Sequence, residues 1–179
     1  SIDDAERTGY AQAKMELEKE NDVVKKINLA MEGKVPDDAS LVVMAGPTTE
    51  PFSNETEALD AYLQKGGSAL ILLDPPPGAS LSEFLKKWSV EVGNNVVLDA
   101  SGVGRLLGMG PAAPLVTPNG YGAHKITERM SRVMTFFPLV RSISPAATPA
   151  EGLTVEKLLN TNERSWGETN MKSGEATFD

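Results

Sequence analysis

Three carboxylates stand where apolar runs end, at positions where a parallel sheet would bring them together for chemistry. Glu50 follows the run LVVMA, Asp74 follows ALILL, and Asp99 lies near the end of NVVLDA. Because the carboxyl ends of parallel strands line a common crevice, these groups could bind sugar hydroxyls or a hard cation, or work as an acid and a base. An aspartate at a strand end more often caps the following turn, so a structural role is favoured for both aspartates.

Two hydroxyl side chains, those of Thr48 and Thr49, lie next to Glu50 in the sequence. Thr48 and Thr49 precede a segment of helical period that begins near Ser53 and Asn54. The N-terminus of a helix attracts anions, so these hydroxyls could help to hold one. Since Ser53 or Asn54 is needed to cap the helix, a scaffold role is favoured. Thr48 and Thr49 remain ligand-binding candidates together with Glu50, Asp74 and Asp99.

His124 is the one histidine of the chain, and the chain contains no cysteine. The pattern G-x-S-x-G does not occur, so His124 has no marked serine nucleophile to activate. This composition excludes disulfides, thiolate ligands, cysteine nucleophiles and His-rich metal sites. We therefore predict no catalytic residue, no metal and no cofactor, and we keep His124 only as a ligand-binding candidate.

A cluster of glycines follows Asp99 without forming a nucleotide-binding motif. A dinucleotide fingerprint would need a third glycine at 107, where the chain has Leu107, and Pro111 follows where a helix should begin. No Gly-Lys-Ser/Thr sequence occurs either. A flexible or partner-contacting loop is the favoured interpretation.

The bulk composition narrows the class of protein further. A net charge of −8 over 179 residues argues against nucleic acid, whose phosphates require clustered Lys and Arg. No apolar run approaches the roughly 18 residues of a membrane span. The chain begins with Ser1 rather than Met, so we interpret it as a fragment of a longer protein.

The apolar pattern predicts an α/β domain over residues 1–160. Short unbroken apolar runs are typical of strands buried on both faces of a parallel sheet. Strand, helix and strand in succession predict a right-handed βαβ unit, and its repetition predicts a doubly wound fold. A strand is also expected in DVVKKINLA. We expect core strands at 41–45, 69–73 and 95–100. We also expect three helices: one over 3–20, one that begins at a capping box of Asn54 and Glu57 and ends at Gly66-Gly67, and one that begins at a cap of Ser80 and Glu83.

The second half of the chain has a different composition and predicts less regular structure. Residues 101–123 are rich in glycine and proline and predict an irregular excursion. The segment KITERMSRV predicts a helix, while TFFPLVRSISPAATP and LTVEKLLNTN predict strands at a sheet edge. Residues 161–179 are polar with isolated aromatics, which is typical of a surface tail.

Several of these blocks together resemble the GldG-like family of gliding-motility-associated, ABC-transporter auxiliary proteins. The segment 33–77 contains the family's Val-Pro-Asp-Asp-Ala turn, a strand ending in Gly-Pro, a helix with Tyr-Leu before Gly-Gly, and a strand ending in Asp-Pro. HKIT at 124–127 is similar to the family's His-Pro-Ile-Thr, with Lys125 in place of the proline. NTNERSW, which ends at Trp166, is similar to the family's late Ser-Trp segment.

The resemblance implies an extracytoplasmic domain, on the periplasmic face of the bacterial inner membrane, of a protein that works beside ABC transporter membrane subunits. The membrane would be reached only through segments absent from this chain. The resemblance also implies a flavodoxin-like fold, with a mainly parallel sheet and helices on both of its faces, related to a domain of intraflagellar-transport proteins. Family members carry a strand before the first helix, so the first core strand would be missing here or supplied by a partner chain, as in a homo-oligomer.

The resemblance supplies no catalytic residues, and the related amidotransferase-like folds use a cysteine that this chain lacks. We therefore expect a non-catalytic binding or protein-interaction module. The alternative is a carbohydrate-binding or hydrolytic domain, which requires Asp74, Asp99 and His124 to converge in one crevice. A third interpretation is an oligomer interface.

Overall fold

The computed structural model describes residues 2–6, 9–106, 108–130 and 132–170. The last part of the predicted tail, 171–179, lies outside the described residues. The chain forms two compact units. The helical unit comprises Ser1–Ser40 and Phe52–Gly67, and the sheet unit comprises Leu41–Pro51 and Ser68–Asp179. The prediction of a single domain over 1–160 stays a prediction.

The described residues of the helical unit form three helices, and the first is shorter than predicted. Helix α1 spans Ala11–Lys19 rather than 3–20. A turn precedes it, in which the Gly9 amide donates to the Glu6 carbonyl at 2.8 Å. A Cβ atom at residue 9 would collide with the Asp4 carbonyl oxygen, so this turn requires glycine.

The strand predicted in DVVKKINLA does not form, so that prediction is wrong: residues 22–28 are irregular, and helix α2, Leu29–Glu32, begins at the end of the segment. The Asn28 side chain accepts from the Met31 amide at 3.3 Å, and the Glu32 carboxylate accepts from the Asn28 amide at 3.1 Å. These reciprocal bonds satisfy two amides that a helix start leaves free. Gly33, at φ +69°, then ends the helix.

Helix α3, Ser53–Gln64, confirms the predicted helix, although its cap differs from the prediction. The Glu55 carboxylate accepts from the Phe52 amide at 2.9 Å. The predicted capping box of Asn54 and Glu57 is therefore wrong, and the Asn54 side chain instead donates to the Ala30 carbonyl of α2 at 3.4 Å. The helix stops at Gly66, whose φ of +89° is left-handed as predicted.

The sheet unit begins with two parallel strands, β1 (Leu41–Ala45) and β2 (Ser68–Leu72), which α3 connects along the chain. The predicted parallel pair is confirmed, with Val43 opposite Leu70. Burial on both faces was expected from the unbroken apolar runs, and this expectation is wrong. One face carries buried Val42, whereas the other carries four side chains that are 46–49% exposed: Leu41, Val43, Leu70 and Leu72.

The remaining strands form antiparallel pairs from distant parts of the chain. Their bounds are β3 Val90–Val92, β4 Val96–Asp99, β5 Leu115–Val116, β6 Thr135–Phe136, β7 Ile143–Pro145 and β8 Ser165–Glu168. β3 pairs with β7, β4 with β8, and β5 with β6. Two short helices complete the unit, α4 (Ser82–Lys87) and α5 (Val103–Leu106), with 3-10 turns at Pro118–Gly120 and Glu128–Met130.

The α/β class is therefore confirmed, but the described residues do not form the predicted doubly wound, mainly parallel sheet. They form four two-stranded sheets, of which one is parallel. The predicted third core strand, β4, is buried but pairs antiparallel with β8, which lies within the predicted surface tail. An apolar run reports burial and not the identity or direction of its partner, which explains the difference.

Two other elements of the second half also differ from the prediction. In the described residues of KITERMSRV, the predicted helix is reduced to the 3-10 turn Glu128–Met130, and the Thr127 hydroxyl before it lies within hydrogen-bond distance of the Gly122 and His124 carbonyls. The predicted strand in LTVEKLLNTN contributes one bridge, between Leu159 and Tyr121. Among the described residues, no helix combines the length and the apolar character needed to cross a bilayer.

We expect Leu59→Ala to lower the free energy of unfolding by about 2–5 kcal/mol, because Leu59 of α3 is 1% exposed and truncation would leave a cavity. The midpoint and slope of urea denaturation measure this change. The matched control is Met31→Ala, which truncates a side chain that is 83% exposed and should change stability by less than about 0.5 kcal/mol. Equal effects of the two substitutions would contradict the placement of Leu59 in the core.

Candidate functional site

The loops that follow β1 and β2 lie together at the carboxyl edge of the parallel pair. The Gly46 amide donates to the Leu72 carbonyl at 2.9 Å, and the Ala79 amide donates to the Pro47 carbonyl at 3.0 Å. Backbone bonds therefore hold the segments that carry Glu50 and Asp74 against each other, at the edge where open α/β sheets bind ligands.

Glu50 uses both carboxylate oxygens to hold the start of α4. Oε1 accepts from the Ser80 amide at 2.6 Å and from the Ser80 hydroxyl at 3.0 Å, and Oε2 accepts from the Leu81 amide at 3.1 Å. Burial raises the pKa of Glu50, but these bonds and the nearby Arg141 guanidinium outweigh it, so the pKa lies below its usual value. Glu50, although exposed, thus joins two loops through its carboxylate.

The other candidates at this edge are open to solvent. Thr48 and Thr49 are exposed in the loop after β1, and Asp74 is exposed after β2. Asp74 makes no hydrogen bond or ion pair with another described residue. These side chains could meet a ligand, but nothing in the structure orients them towards a common point.

Asp99 is buried and occupied by internal hydrogen bonds. Oδ1 accepts from the Ser101 amide at 2.6 Å, while Oδ2 accepts from the Leu115 amide at 3.3 Å and from the Asn162 side chain at 2.7 Å. Burial raises the pKa of Asp99, but the bonds from Ser101, Leu115 and Asn162 outweigh it and lower the pKa. The cavity beside Asp99 has a volume of about 10 Å³, room for about one water molecule.

His124 has a local role in its turn. Its Nδ1 accepts from the Ile126 amide at 3.1 Å, and the side chain is exposed. No hydrogen bond between described residues joins any two of the six candidates, Thr48, Thr49, Glu50, Asp74, Asp99 and His124. Among all residues that the structure describes, no group of three or more Asp, Glu or His side chains is placed to hold a metal ion.

Arg141 is a polar residue that the sequence analysis missed. It is 6% exposed, and its Nη1 donates to the Ala79 carbonyl at 3.3 Å. Its Nε has no hydrogen-bond partner among the described residues. A buried guanidinium is costly without compensating partners, and the Arg141 charge is one of the causes, after the hydrogen bonds from Ser80 and Leu81, that lower the pKa of Glu50. No local sequence signal marks an arginine that becomes buried only through long-range packing.

The exposed face of β1 and β2 is the largest departure from the sequence analysis at this site. Leu41, Val43, Leu70 and Leu72 form one apolar surface, which we call the open sheet face. In the described residues, no third strand pairs with the outer edge of either strand. Apolar side chains beside unpaired strand edges are typical of surfaces that other polypeptides cover.

Comparison with known protein families places these features in context. The model of a family described as an ABC-type uncharacterized transport system matches residues 8–175. The chain belongs to this family. Membership associates the chain with a transport system and describes it as an auxiliary component, which agrees with the coarser part of the resemblance found in the sequence.

A solved structure supports the fold. The chain is similar to a structure titled "mmIFT52 N-terminal domain", with a TM-score of 0.52 and 20% sequence identity over 70% of this chain. The chain spans 58% of the length of that domain. At this identity the likeness concerns the fold alone. No protein with a curated description matches the sequence.

We expect Asp99→Asn to destabilise the protein by about 1–3 kcal/mol, because an amide offers one acceptor oxygen where the carboxylate receives three donors. Denaturant unfolding at neutral pH measures the loss. The matched control, Asp74→Asn, makes the same chemical change at an exposed strand end and should alter stability by less than about 0.5 kcal/mol. If both variants unfold alike, Asp99 does not have the structural role described.

Acidification should remove the same contribution. A carboxylate with a lowered folded pKa stabilises the protein fully above its unfolded pKa, and this stability is lost as pH falls through the folded pKa. We therefore expect the free energy of unfolding to decrease once the pH drops under roughly 4, with Asp99 and Glu50 both contributing to the decrease. Urea denaturation between roughly pH 7 and pH 3 should show a shallower fall in Asp99→Asn. Parallel pH profiles would contradict the role of this carboxylate.

Proposed function

We propose that the chain is a non-catalytic protein-interaction module of a GldG-like auxiliary protein, and that its open sheet face docks against a membrane subunit of the ABC transporter. The observation that carries the proposal is this apolar face in a chain that belongs to a transport-system family. The membrane anchor of the parent protein and the extracytoplasmic location of the domain are parts of the proposal, and the resemblance to GldG-like proteins supports them.

The size of the open sheet face indicates how such docking would work. Covering the exposed halves of four aliphatic side chains would contribute roughly 3–5 kcal/mol before the cost of association. Even without that cost, this contribution would give a dissociation constant no tighter than about the millimolar range, and the cost weakens it further. The face therefore needs further contacts, and the unpaired edges of β1 and β2 provide them by accepting an extended segment as an additional strand. The same edges would accept the further strands of a flavodoxin-like sheet.

The roles of the carboxylates favour interaction over catalysis. Glu50 and Asp99 already receive three hydrogen bonds each from the protein. A general acid or base must exchange its proton with a substrate, and a lowered pKa with filled acceptor positions opposes this. The convergence that a hydrolytic site of Asp74, Asp99 and His124 requires has no support in the observed hydrogen bonds.

Photo-crosslinking in the parent protein tests the docking surface. We expect p-benzoylphenylalanine in place of Val43 to form an adduct with the transporter membrane subunit, identified by mass spectrometry. The control places the same residue at Met31, which is 83% exposed but lies on α2. An adduct that is several-fold stronger from position 43 supports the proposal. Equal adducts, or an adduct only with a second copy of the chain, would contradict it.

The absence of cysteine allows a direct test of location. Met31→Cys creates a single exposed thiol in this domain. We expect a membrane-impermeant maleimide to label it in cells whose outer membrane has been permeabilised, because the domain would face the periplasm. A cytoplasmic protein with one exposed cysteine serves as the control. Labelling only after lysis of the inner membrane would contradict the extracytoplasmic location.

A further inference from the structure

A groove in the helical unit lies between the turn at 33–39 and the C-terminal half of α3. Its volume is about 360 Å³. This is the space of about twelve water molecules, at the lower end of the range for small-molecule sites. It is lined by Gly33, Lys34, Val35, Pro36, Asp37, Ala39, Ala58, Ala61, Tyr62, Lys65, Gly66 and Gly67.

Small residues and one tyrosine keep the groove open. Ala58 and Ala61 lie one turn apart on α3, where larger side chains would fill the space. The Tyr62 ring lies over Gly67 so closely that a Cβ atom there would collide with it. The Tyr62 hydroxyl donates to the Ala39 carbonyl at 3.1 Å, which ties α3 to the turn. The walls are therefore formed before any ligand binds.

The charges in the groove favour an anion. Lys34 and Asp37 form an ion pair at 2.9 Å. The pKa of Asp37 is lowered, mainly by Lys34 and also by Lys65, so the Lys65 ammonium lies within electrostatic range of this pair. Lys65 makes no ion pair with a described residue. The lining therefore carries a net charge of +1, from two lysines and one aspartate, on a chain whose net charge is −8.

We propose that this groove binds a ligand with a single carboxylate next to a short apolar group, as in a peptide C-terminus or a free small carboxylic acid. The carboxylate lies at Lys65, and the apolar group lies against Pro36 and Ala61, which are accessible apolar residues of the lining. A dianionic phosphate fits less well, because the negative end of the α3 dipole lies at the same place and one lysine offsets it. The groove belongs to the helical unit, so this proposal is independent of the open sheet face.

Titration of the ¹⁵N-labelled chain, followed by backbone amide NMR shifts, tests the proposal. N-acetylalanine is the probe, and N-acetylalanine amide is the matched neutral control. We expect saturable shifts at Gly33, Ala61 and Gly66 with the acid and none with the amide. An acetylated tripeptide ending in alanine distinguishes the two sources, since tighter binding of the tripeptide indicates a peptide C-terminus. Equal shifts with the acid and the amide would overturn the proposal.

Two variants locate the binding site. Lys65→Gln should weaken the binding of N-acetylalanine about 3- to 10-fold, whereas Lys19→Gln, on exposed α1, should leave it unchanged. Ala61→Phe should abolish binding by filling the groove, with retained dispersion of the amide spectrum showing that the variant is folded. Because Lys65 is exposed, its substitution decides the outcome even if Ala61→Phe fails to fold. Unchanged affinity in Lys65→Gln would refute the proposal.

Discussion

The carboxylate of Asp99 connects three segments that are far apart in the sequence. It ends β4, accepts from the backbone at the start of β5, and accepts from Asn162 just before β8. In this way one buried charge sets the position of two antiparallel pairs, β4 with β8 and β5 with β6. A buried carboxylate is costly unless donors surround it, so the three donors and the charge require one another. Much of the sheet unit therefore depends on the hydrogen bonds between the Asp99 carboxylate and its three donors.

Glu50 performs a similar task at the edge of the parallel pair. Its carboxylate accepts from the Ser80 and Leu81 amides at the start of α4, where an external anion would otherwise meet free amides. Both strand-end carboxylates therefore serve the protein itself. The two binding surfaces proposed above, the open sheet face and the groove beside Lys65, are surfaces that these internal bonds leave open.

The open sheet face is the accessible side of the parallel pair β1 and β2. A pair of parallel strands usually lies inside a larger sheet with both faces covered. Here one face is covered and the other remains accessible. The proposal that other polypeptide covers this module rests on that accessible face. Its acidic surface favours solubility until that contact is made.

Some features were determined by the sequence alone because they rest on local signals. The extent of α3, its stop at Gly66 and the parallel pairing of β1 with β2 follow from side-chain period, a left-handed glycine and the length of the connection. Other features depend on contacts between separate segments of the chain. The partner of β4, the burial of Arg141, the donors around Asp99 and the exposed face of β1 and β2 were decided only in the tertiary structure. An apolar run or a carboxylate carries the same local signal whether or not distant residues cover it, and that covering is a property of the folded chain.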